Sequence, residues 1–226
     1  MPPPPPIGAF FDILTDNFDE FASGFRVTVE IVAVSFVIAM VVGTLVAALR
    51  VAPNPWLQRA GGVYVEFFRN IPLLVLLLLI FLGLRDNNIR IDAWTAGVLG
   101  LGLYTAAYIA EALRSGVFSV SKGQIEASLS LGFTYAETMR RIILPQAFRT
   151  VISPLGSLII AMIKNSAIIG ASTLALNDLL KTGRVIQSRN FQTLETFFWA
   201  AVGYLLLTGA ATFAIRALEK RYAIHR

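Results

Sequence analysis

The sequence predicts an all-α membrane protein with five transmembrane helices. Of the 226 residues, 56% are hydrophobic and only 15% are charged, which is more apolar than an ordinary soluble domain. Five apolar runs approach the length of about 20 residues that a helix needs to cross a bilayer, and none alternates with the period of a barrel strand. Backbone groups in lipid must be paired within their own segment, which favours helices. The predicted spans are residues 27–49, 63–84, 93–113, 151–174 and 197–218.

Residues 1–24 precede the transmembrane domain. The start MPPPPP lacks the basic residues and apolar core of a signal peptide, so we expect a disordered polyproline stub. Between residues 10 and 25, large apolar residues recur at helical spacing while the acidic residues lie mostly off that line. This pattern predicts an amphipathic lead-in helix that lies in the membrane interface. Residues 25–220 then form the transmembrane domain, and residues 221–226 form a short tail.

The distribution of Lys and Arg predicts the orientation of the chain, because cytoplasmic loops retain more of these residues than outer loops. With the N-terminus outside, eleven Lys and Arg fall on the inner side and six on the outer side, with Arg69 and Lys164 left inside predicted spans. The net charge of +5 is accounted for by this inner excess. We therefore expect an outer N-terminus and a cytoplasmic C-terminus.

Composition also excludes several kinds of chemistry. The chain has no Cys and a single His at position 225, so thiolate chemistry is excluded and no imidazole is available for a buried site. It also lacks the G-x-x-x-x-G-K-[ST] pattern that cradles ATP phosphates. We therefore predict no catalytic residue and no metal site in this chain.

The segment 121–145, between the third and fourth predicted spans, begins with a predicted short helix. Ser121 followed by Gln124 has the spacing of a capping box, in which the two side chains pair with backbone N–H groups. Gly132 is a natural left-handed residue to end such a helix. We therefore expect a helix over residues 121–132, on the cytoplasmic side.

A second short helix is expected directly after it. Thr134 and Glu137 form another capping box, and the helix should end before Pro145. Two short helices joined by a glycine also describe a helix-turn-helix, whose recognition helix reads bases with its N-terminal side chains. Here those side chains are Tyr135, Ala136 and Glu137, and membrane spans lie close on both sides. Nucleic-acid binding is therefore not predicted.

The spacing of this segment resembles the EAA loop of bacterial ATP-binding-cassette import permeases. It contains Glu126-Ala127-Ser128, then Gly132 after three residues, then IILP at 142–145 after nine more. The stretches YVEFFRNIPLL at 64–74, AYIAEALRSG at 107–116 and QIEASLSLGF at 124–133 resemble the polar amino-acid uptake branch, which includes histidine and glutamine permeases. The resemblance covers about residues 25–220. Ser128 departs from the motif, which usually has Ala there.

The resemblance implies a type I importer permease fold and a set of partners. Between helices 3 and 4, residues 121–132 would be a cytoplasmic coupling helix that docks on a separate ATPase subunit. ATP and Mg²⁺ would be bound by two such subunits, and a second permease chain, an external substrate-binding protein and membrane lipid would complete the assembly. The location implied is the bacterial inner membrane. The expected ATPase-coupling residues are Gln124, Glu126, Ala127, Ser128 and Gly132.

Polar residues inside the predicted spans are candidates for the path of an amino-acid substrate. A Lys at the centre of a span costs about 2.5–3.5 kcal/mol on insertion scales, so Lys164 needs a functional or structural reason. Asn165 and Ser166 follow it, and the resemblance implies a place on the translocation path for this stretch. Glu66 and Arg69 lie on one helix face and can form an ion pair, with Pro72 expected to kink the helix just beyond them. Tyr108 and Glu111 are further candidates.

Three classes of function remain to be compared. The leading hypothesis is a permease subunit of an ATP-driven amino-acid importer. The alternative is an ion-coupled secondary transporter or channel that needs no ATPase, although such carriers usually contain inverted repeats and none is evident here. A membrane-embedded enzyme would want paired acids or His at depth, which are absent from the sequence. The sequence does not name the amino acid, nor does it distinguish a homodimer of permeases from a heterodimer.

Overall fold

The structure is a computed structural model that describes residues 7–172, 174 and 176–222. The predicted polyproline stub and residues 223–226 of the tail lie outside this range. Every regular element in the described ranges is helical, in agreement with the predicted fold class. The α-helices are α1 (Ile7–Asp16), α2 (Phe18–Val51), α3 (Pro55–Asn70), α4 (Leu73–Leu78), α5 (Leu84–Asp86), α6 (Ala93–Phe118), α7 (Lys122–Ser130), α8 (Tyr135–Thr138), α9 (Leu144–Ala171), α10 (Leu179–Asn190) and α11 (Thr193–Tyr222).

Among the described residues, four helices are long and apolar enough to cross a membrane. They are α2, α6, the continuous helix Tyr135–Ala171 and α11. The second predicted span is broken, because α3 ends at Asn70 and helix resumes at Leu73. Pro72 lies in this break, where its ring and missing N–H prevent a continuous helix. The count is therefore four spans, or five if the broken pair is one span.

The predicted lead-in helix over residues 10–25 is wrong in its boundaries. Helix α1 ends at Asp16, and α2 begins at Phe18 and continues to Val51 as part of the first span. Ile13 and Phe21 are buried against side chains of α10 and α11. Phe21 and its partly buried neighbours Leu14 and Phe25 therefore pack on protein, whereas Phe11 and Phe18 remain 57% and 59% exposed. An amphipathic pattern alone does not distinguish the two environments.

The predicted helix end before Pro145 is also wrong. A π-helical turn, Met139–Ile143, joins α8 to α9 without a break. At its end the N–H of Leu144 donates to the carbonyl of Met139, so the turn contains one more residue than an α-helical turn. Arg140 and Arg141 are exposed, so any carbonyl that loses its partner to the proline can be solvated. Pro145 is thus accommodated inside a helix.

The chain forms two compact units, each with its own core. The first unit contains Met1–Ser35, Pro72–Leu101 and Ala161–Ala210, and the second contains Phe36–Ile71, Gly102–Ile160 and Ala211–Arg226. In the first unit, a core cluster is built from Ile13, Phe21, Leu179, Ile186 and Ala200. In the second unit, α2 and α6 approach closely at Gly43, where an added Cβ would lie 2.9 Å from the carbonyl oxygen of Ala106. The small residues Gly43 and Ala106 therefore allow α2 and α6 to pack closely.

Candidate functional site

The helix α7 ends as the sequence predicted. Gly132 has a φ of +84°, and the N–H groups of Gly132 and Phe133 donate to the carbonyls of Leu129 and Ser128 at 3.0 and 3.1 Å. These two bonds define a Schellman motif, whose left-handed residue is most easily a glycine. The chain can therefore turn within two residues from α7 into the next helix.

Of the two predicted capping boxes, one is present. The hydroxyl of Thr134 accepts from the N–H of Glu137, and the Glu137 carboxylate accepts from the N–H of Thr134. The Ser121 side chain makes no capping hydrogen bond to the described chain, so the first box is wrong. Gln124 instead accepts from the Gln146 amide at 2.6 Å. This bond ties α7 to the start of α9, a long-range contact that local spacing does not reveal.

The predicted coupling residues fall into two groups. Gln124, Glu126, Ala127 and Gly132 are exposed, and Leu129 and Leu131 beside them are 47% and 78% exposed. We call this set of six residues the α7 surface. Ser128 is buried, and its hydroxyl is 2.9 Å from that of Thr138 on α8. The departure from Ala at this position therefore holds the two helices together and lies away from the α7 surface.

Four predicted path residues meet in one polar pocket of the second unit. The pocket has a volume of about 380 Å³ and is lined by Arg50, Glu66, Arg69, Asn70, Tyr108 and Glu111, with Val65 as its apolar member. We call it the zwitterion pocket because it presents both signs of charge. Its volume lies within the usual range for small-molecule sites.

The predicted Glu66–Arg69 ion pair is absent among the described residues. The Arg69 guanidinium instead lies over the Tyr108 ring, 5.4 Å from its centroid, a favourable cation–π contact. The Tyr108 hydroxyl is held 3.0 Å from that of Tyr104, which fixes the ring under the guanidinium. Glu66 and Arg69 are both exposed. They therefore leave an unpaired carboxylate and an unpaired guanidinium at one pocket.

Glu111 has a different environment from Glu66. Its carboxylate accepts from Arg50 on α2 and from Arg114 on its own helix, the latter at 2.6 Å. The three side chains are roughly one-fifth to one-third exposed. Its hydrogen-bonding capacity is largely used within the protein, so Glu111 holds α2 against α6 more than it offers a free anion.

The other predicted path residues lie on α9 in the first unit. Lys164 is exposed, Asn165 is half-buried and Ser166 is buried. The Ser166 hydroxyl donates to the carbonyl of Ile163 at 2.7 Å. Within the described chain, Lys164 makes no ion pair. A structural ion pair therefore does not explain the presence of this Lys in the span.

Sequence reasoning missed Arg50 and Asn70 as pocket residues. The charge tally treats Arg50 only as an inner charge, although a lone Glu in an apolar helix such as Glu111 requires a cationic partner. That requirement, together with the position of Arg50 at the end of the first span, was a usable signal. Asn70 gave no such signal, because it enters the pocket only through the helix break beside it.

The fold and these sites define an integral membrane protein of the transporter class. Residues 39–224 match the family of the binding-protein-dependent transport system inner membrane component. The chain belongs to this family. It is therefore a transport component of the inner membrane, a permease subunit of an ATP-binding-cassette importer.

Several known proteins are similar to this chain over most of its length. The probable glutamine ABC transporter permease protein GlnM of Bacillus subtilis (strain 168) is 41% identical over 209 residues, covering 92% of this chain and 96% of GlnM. The glutamate/aspartate import permease protein GltJ of Escherichia coli (strain K12) is 31% identical over 212 residues, covering 88% and 85%.

Solved structures show the same fold. A crystal structure of an amino acid ABC transporter with histidines is similar with a TM-score of 0.86 and 33% identity, covering 92% of this chain and 96% of that one. The MetNI methionine ABC transporter in inward-facing conformations has a TM-score of 0.71 at 22% identity, covering 94% and 97%, and this likeness concerns the fold alone.

Proposed function

We propose that this chain is the permease subunit of an ATP-driven amino-acid importer. The relatives named for glutamine and for glutamate and aspartate support an amino-acid substrate, as does the amino acid transporter of similar structure. The observation that carries the mechanism is the α7 surface, where apolar and acidic side chains are exposed together. Such a helix is suited to dock on a partner that moves it.

The partner at the α7 surface is a separate ATPase subunit. Leu131 is 78% exposed and Leu129 beside it is 47% exposed, so we take this adjacent pair as the apolar anchor, with Leu131 as its more exposed member. Glu126 provides a charged hydrogen bond at its edge. Two ATPase subunits bind ATP and Mg²⁺, and this chain pairs with a second permease chain, identical or related. An external substrate-binding protein delivers the substrate from the opposite side.

The zwitterion pocket belongs to the substrate path. Arg69 can bind an α-carboxylate, and the Glu66 carboxylate can bind an α-ammonium group, since neither is consumed by an internal ion pair. A pocket of about 380 Å³ can hold one amino acid with water. Movement of α7 by the ATPase would then alternate access to the path, as in rigid-body transport mechanisms.

Docking is tested by Leu131→Asp in the chain co-expressed with its ATPase. We expect the ATPase to fail to co-purify and uptake to fall at least tenfold, because a charge replaces the anchor. The matched control is Ile89→Asp, since Ile89 is 52% exposed and lies between spans on the proposed outer side. Normal ATPase retention by Leu131→Asp would refute the docking surface.

The pocket is tested by Arg69→Gln, which removes the guanidinium from Tyr108 and keeps a polar side chain. We expect substrate-stimulated ATP hydrolysis to be lost while the ATPase still co-purifies. Arg149→Gln, at an exposed residue outside the pocket, should behave as the parent. Normal stimulation in Arg69→Gln would remove this pocket from the path but leave the docking proposal intact.

The alternative, an ion-coupled transporter or channel without an ATPase, predicts the opposite dependence. Vesicles holding the chain without its ATPase would then accumulate substrate when an ion gradient is imposed. Under our proposal such vesicles are inactive until the ATPase and ATP are added on the α7 side. The family membership favours the ATP-driven mechanism.

A further inference from the structure

A second pocket in the second unit has a strongly basic character. It has a volume of about 670 Å³, and its lining includes three guanidinium groups, from Arg50, Arg59 and Arg114. The lining also includes Pro55, Gln58 and two aromatic side chains, Trp56 and Phe118, which we call the aromatic wall. We call the whole pocket the arginine pocket.

The arginine pocket has an excess of positive charge that the described chain does not neutralise. Arg50 and Arg114 share a single carboxylate, that of Glu111. Arg59 is exposed and makes no ion pair with any described residue. Three cations thus face one anion, so the pocket retains two formal positive charges. Guanidinium groups suit phosphate, because their planar forks donate two parallel hydrogen bonds.

The aromatic wall points to a ligand that is partly apolar. Trp56 is 75% exposed and Phe118 is 64% exposed, although both are large apolar side chains whose burial is favourable. The Arg114 guanidinium lies 5.4 Å from the centroid of the Phe118 ring, so charge and apolar surface are adjacent. A free phosphate ion would use the arginines but would make no contact with the rings.

The position of the pocket in the fold places it where a spanning helix meets the membrane surface. Arg50 is in the last turn of α2, which ends at Val51, and Phe118 is the last residue of α6. Trp56 is at the start of α3, where Asn54 caps the helix. Two helices long enough to cross the membrane therefore end at this pocket, and Trp is enriched at that depth.

We infer that the arginine pocket binds the headgroup of an anionic phospholipid. The phosphate lies among Arg50, Arg59 and Arg114, and the upper acyl chain or glycerol region lies against Trp56 and Phe118. Basic pockets between transmembrane helices are a recognised form of lipid site. One lipid phosphate halves the excess of two positive charges, and its acyl or glycerol region covers the rings, which no described residue does. The inference does not depend on which amino acid is transported.

The site is tested with the permease in complex with its ATPase, titrated with dibrominated phosphatidylglycerol or phosphatidylcholine of the same chain length. Bromine quenches the fluorescence of nearby tryptophan side chains. The part of the quenching that is lost in Trp56→Phe is the contribution of Trp56. We expect phosphatidylglycerol to quench this component at a severalfold lower lipid fraction than phosphatidylcholine. Arg59→Gln should reduce the preference about fivefold, since one cation near a membrane surface changes binding by roughly that factor.

Arg149→Gln is the control, because it removes an exposed arginine outside the pocket and should leave the preference unchanged. Equal quenching by the two lipids in the parent protein would overturn the inference. So would an equal loss of preference in both arginine variants, which would indicate a general effect of net charge. If Arg59→Gln instead releases the ATPase while the lipid preference remains, the pocket serves a protein partner and the inference fails.

Discussion

At the scale of single residues, Asp178 is the least expected group in the structure. Its side chain is fully buried, and one carboxylate oxygen accepts from the N–H of Lys181 at 2.8 Å, capping α10. The other oxygen has no hydrogen-bond partner in the described chain. Burial raises the pKa of this carboxyl from 3.8 to about 6, and backbone N–H donors and the Lys181 charge oppose the rise only in part. At neutral pH the capping residue of α10 is therefore a buried charge, which is unfavourable.

This burial predicts a specific pH dependence of stability. Between pH 4 and 6 the folded chain keeps the Asp178 proton that the unfolded chain releases, so stability falls as pH rises through this window and is level above it. The loss amounts to roughly 3 kcal/mol at most. Asp178→Asn keeps an acceptor for Lys181 and cannot ionise. Its thermal unfolding midpoint should match the parent at pH 4 and exceed it at pH 7, and parallel curves for the two proteins would contradict this account.

Glu111 shows the opposite case, a carboxylate with two cationic partners. Glu111→Gln leaves Arg50 and Arg114 without their counter-ion in a partly buried setting. Because hydrogen bonds to charged groups are worth about 1.5–3 kcal/mol, we expect the unfolding temperature to fall by several degrees. The control is Glu30→Gln, whose partner Arg26 is 74% exposed at 3.5 Å. Exposed pairs of this kind contribute little, so a comparable fall in the control would refute the proposed role of Glu111.

At the scale of elements, prediction succeeded where the signal was local. Apolar length predicted α2, α6 and α11, and Pro72 predicted the break beside Asn70. The failures have a common cause in contacts between segments distant in sequence. The sequence does not show that the Gln124 side chain bonds to Gln146 instead of capping α7. It also does not show that Pro145 follows a π-helical turn, which allows the helix to continue through the proline. The spacing of residue types predicts contacts between residues close in sequence far better than contacts between distant segments.

Two glycines of the coupling segment should respond oppositely to the same substitution. Gly132 has a φ of +84°, whereas the φ of Gly123 lies outside the left-handed region. At both positions an added Cβ would have no heavy atom within 4 Å. Gly132→Ala therefore costs about 1 kcal/mol through backbone strain alone. Gly123→Ala, at the second residue of α7, should instead stabilise the chain by about 0.4–1 kcal/mol, because Ala reduces the entropy of the unfolded chain. Unfolding midpoints of the two variants measure this contrast, and a shift of the same sign in both would show that φ is not the cause.

At the scale of the whole molecule, the positions of charged residues in the sequence predict where the polar pockets form better than local spacing predicts their hydrogen bonds. The sequence selected Glu66, Arg69, Tyr108 and Glu111 one at a time, and the structure gathers them at one pocket. The sequence indicates that Glu111 needs a cationic partner such as Arg50. It does not indicate that Glu66 lacks one, because that depends on Arg69 lying over the Tyr108 ring instead. The same excess of inner Lys and Arg that predicts orientation leaves three arginines at one pocket.

The proposed docking of the ATPase on the α7 surface and of a substrate-binding protein on the opposite side both depend on the orientation of the chain. The orientation can be tested directly because the chain contains no Cys. Single cysteines can be introduced at Ser130 on α7 and at Ile89 between the broken span and α6, both exposed. With the N-terminus outside, a membrane-impermeant maleimide added to intact cells should label Ile89→Cys and leave Ser130→Cys unlabelled until the membrane is opened. The positive-inside tally requires this order. The reverse pattern would place the α7 surface outside, where no ATPase could reach it, and would refute the coupling mechanism together with the orientation.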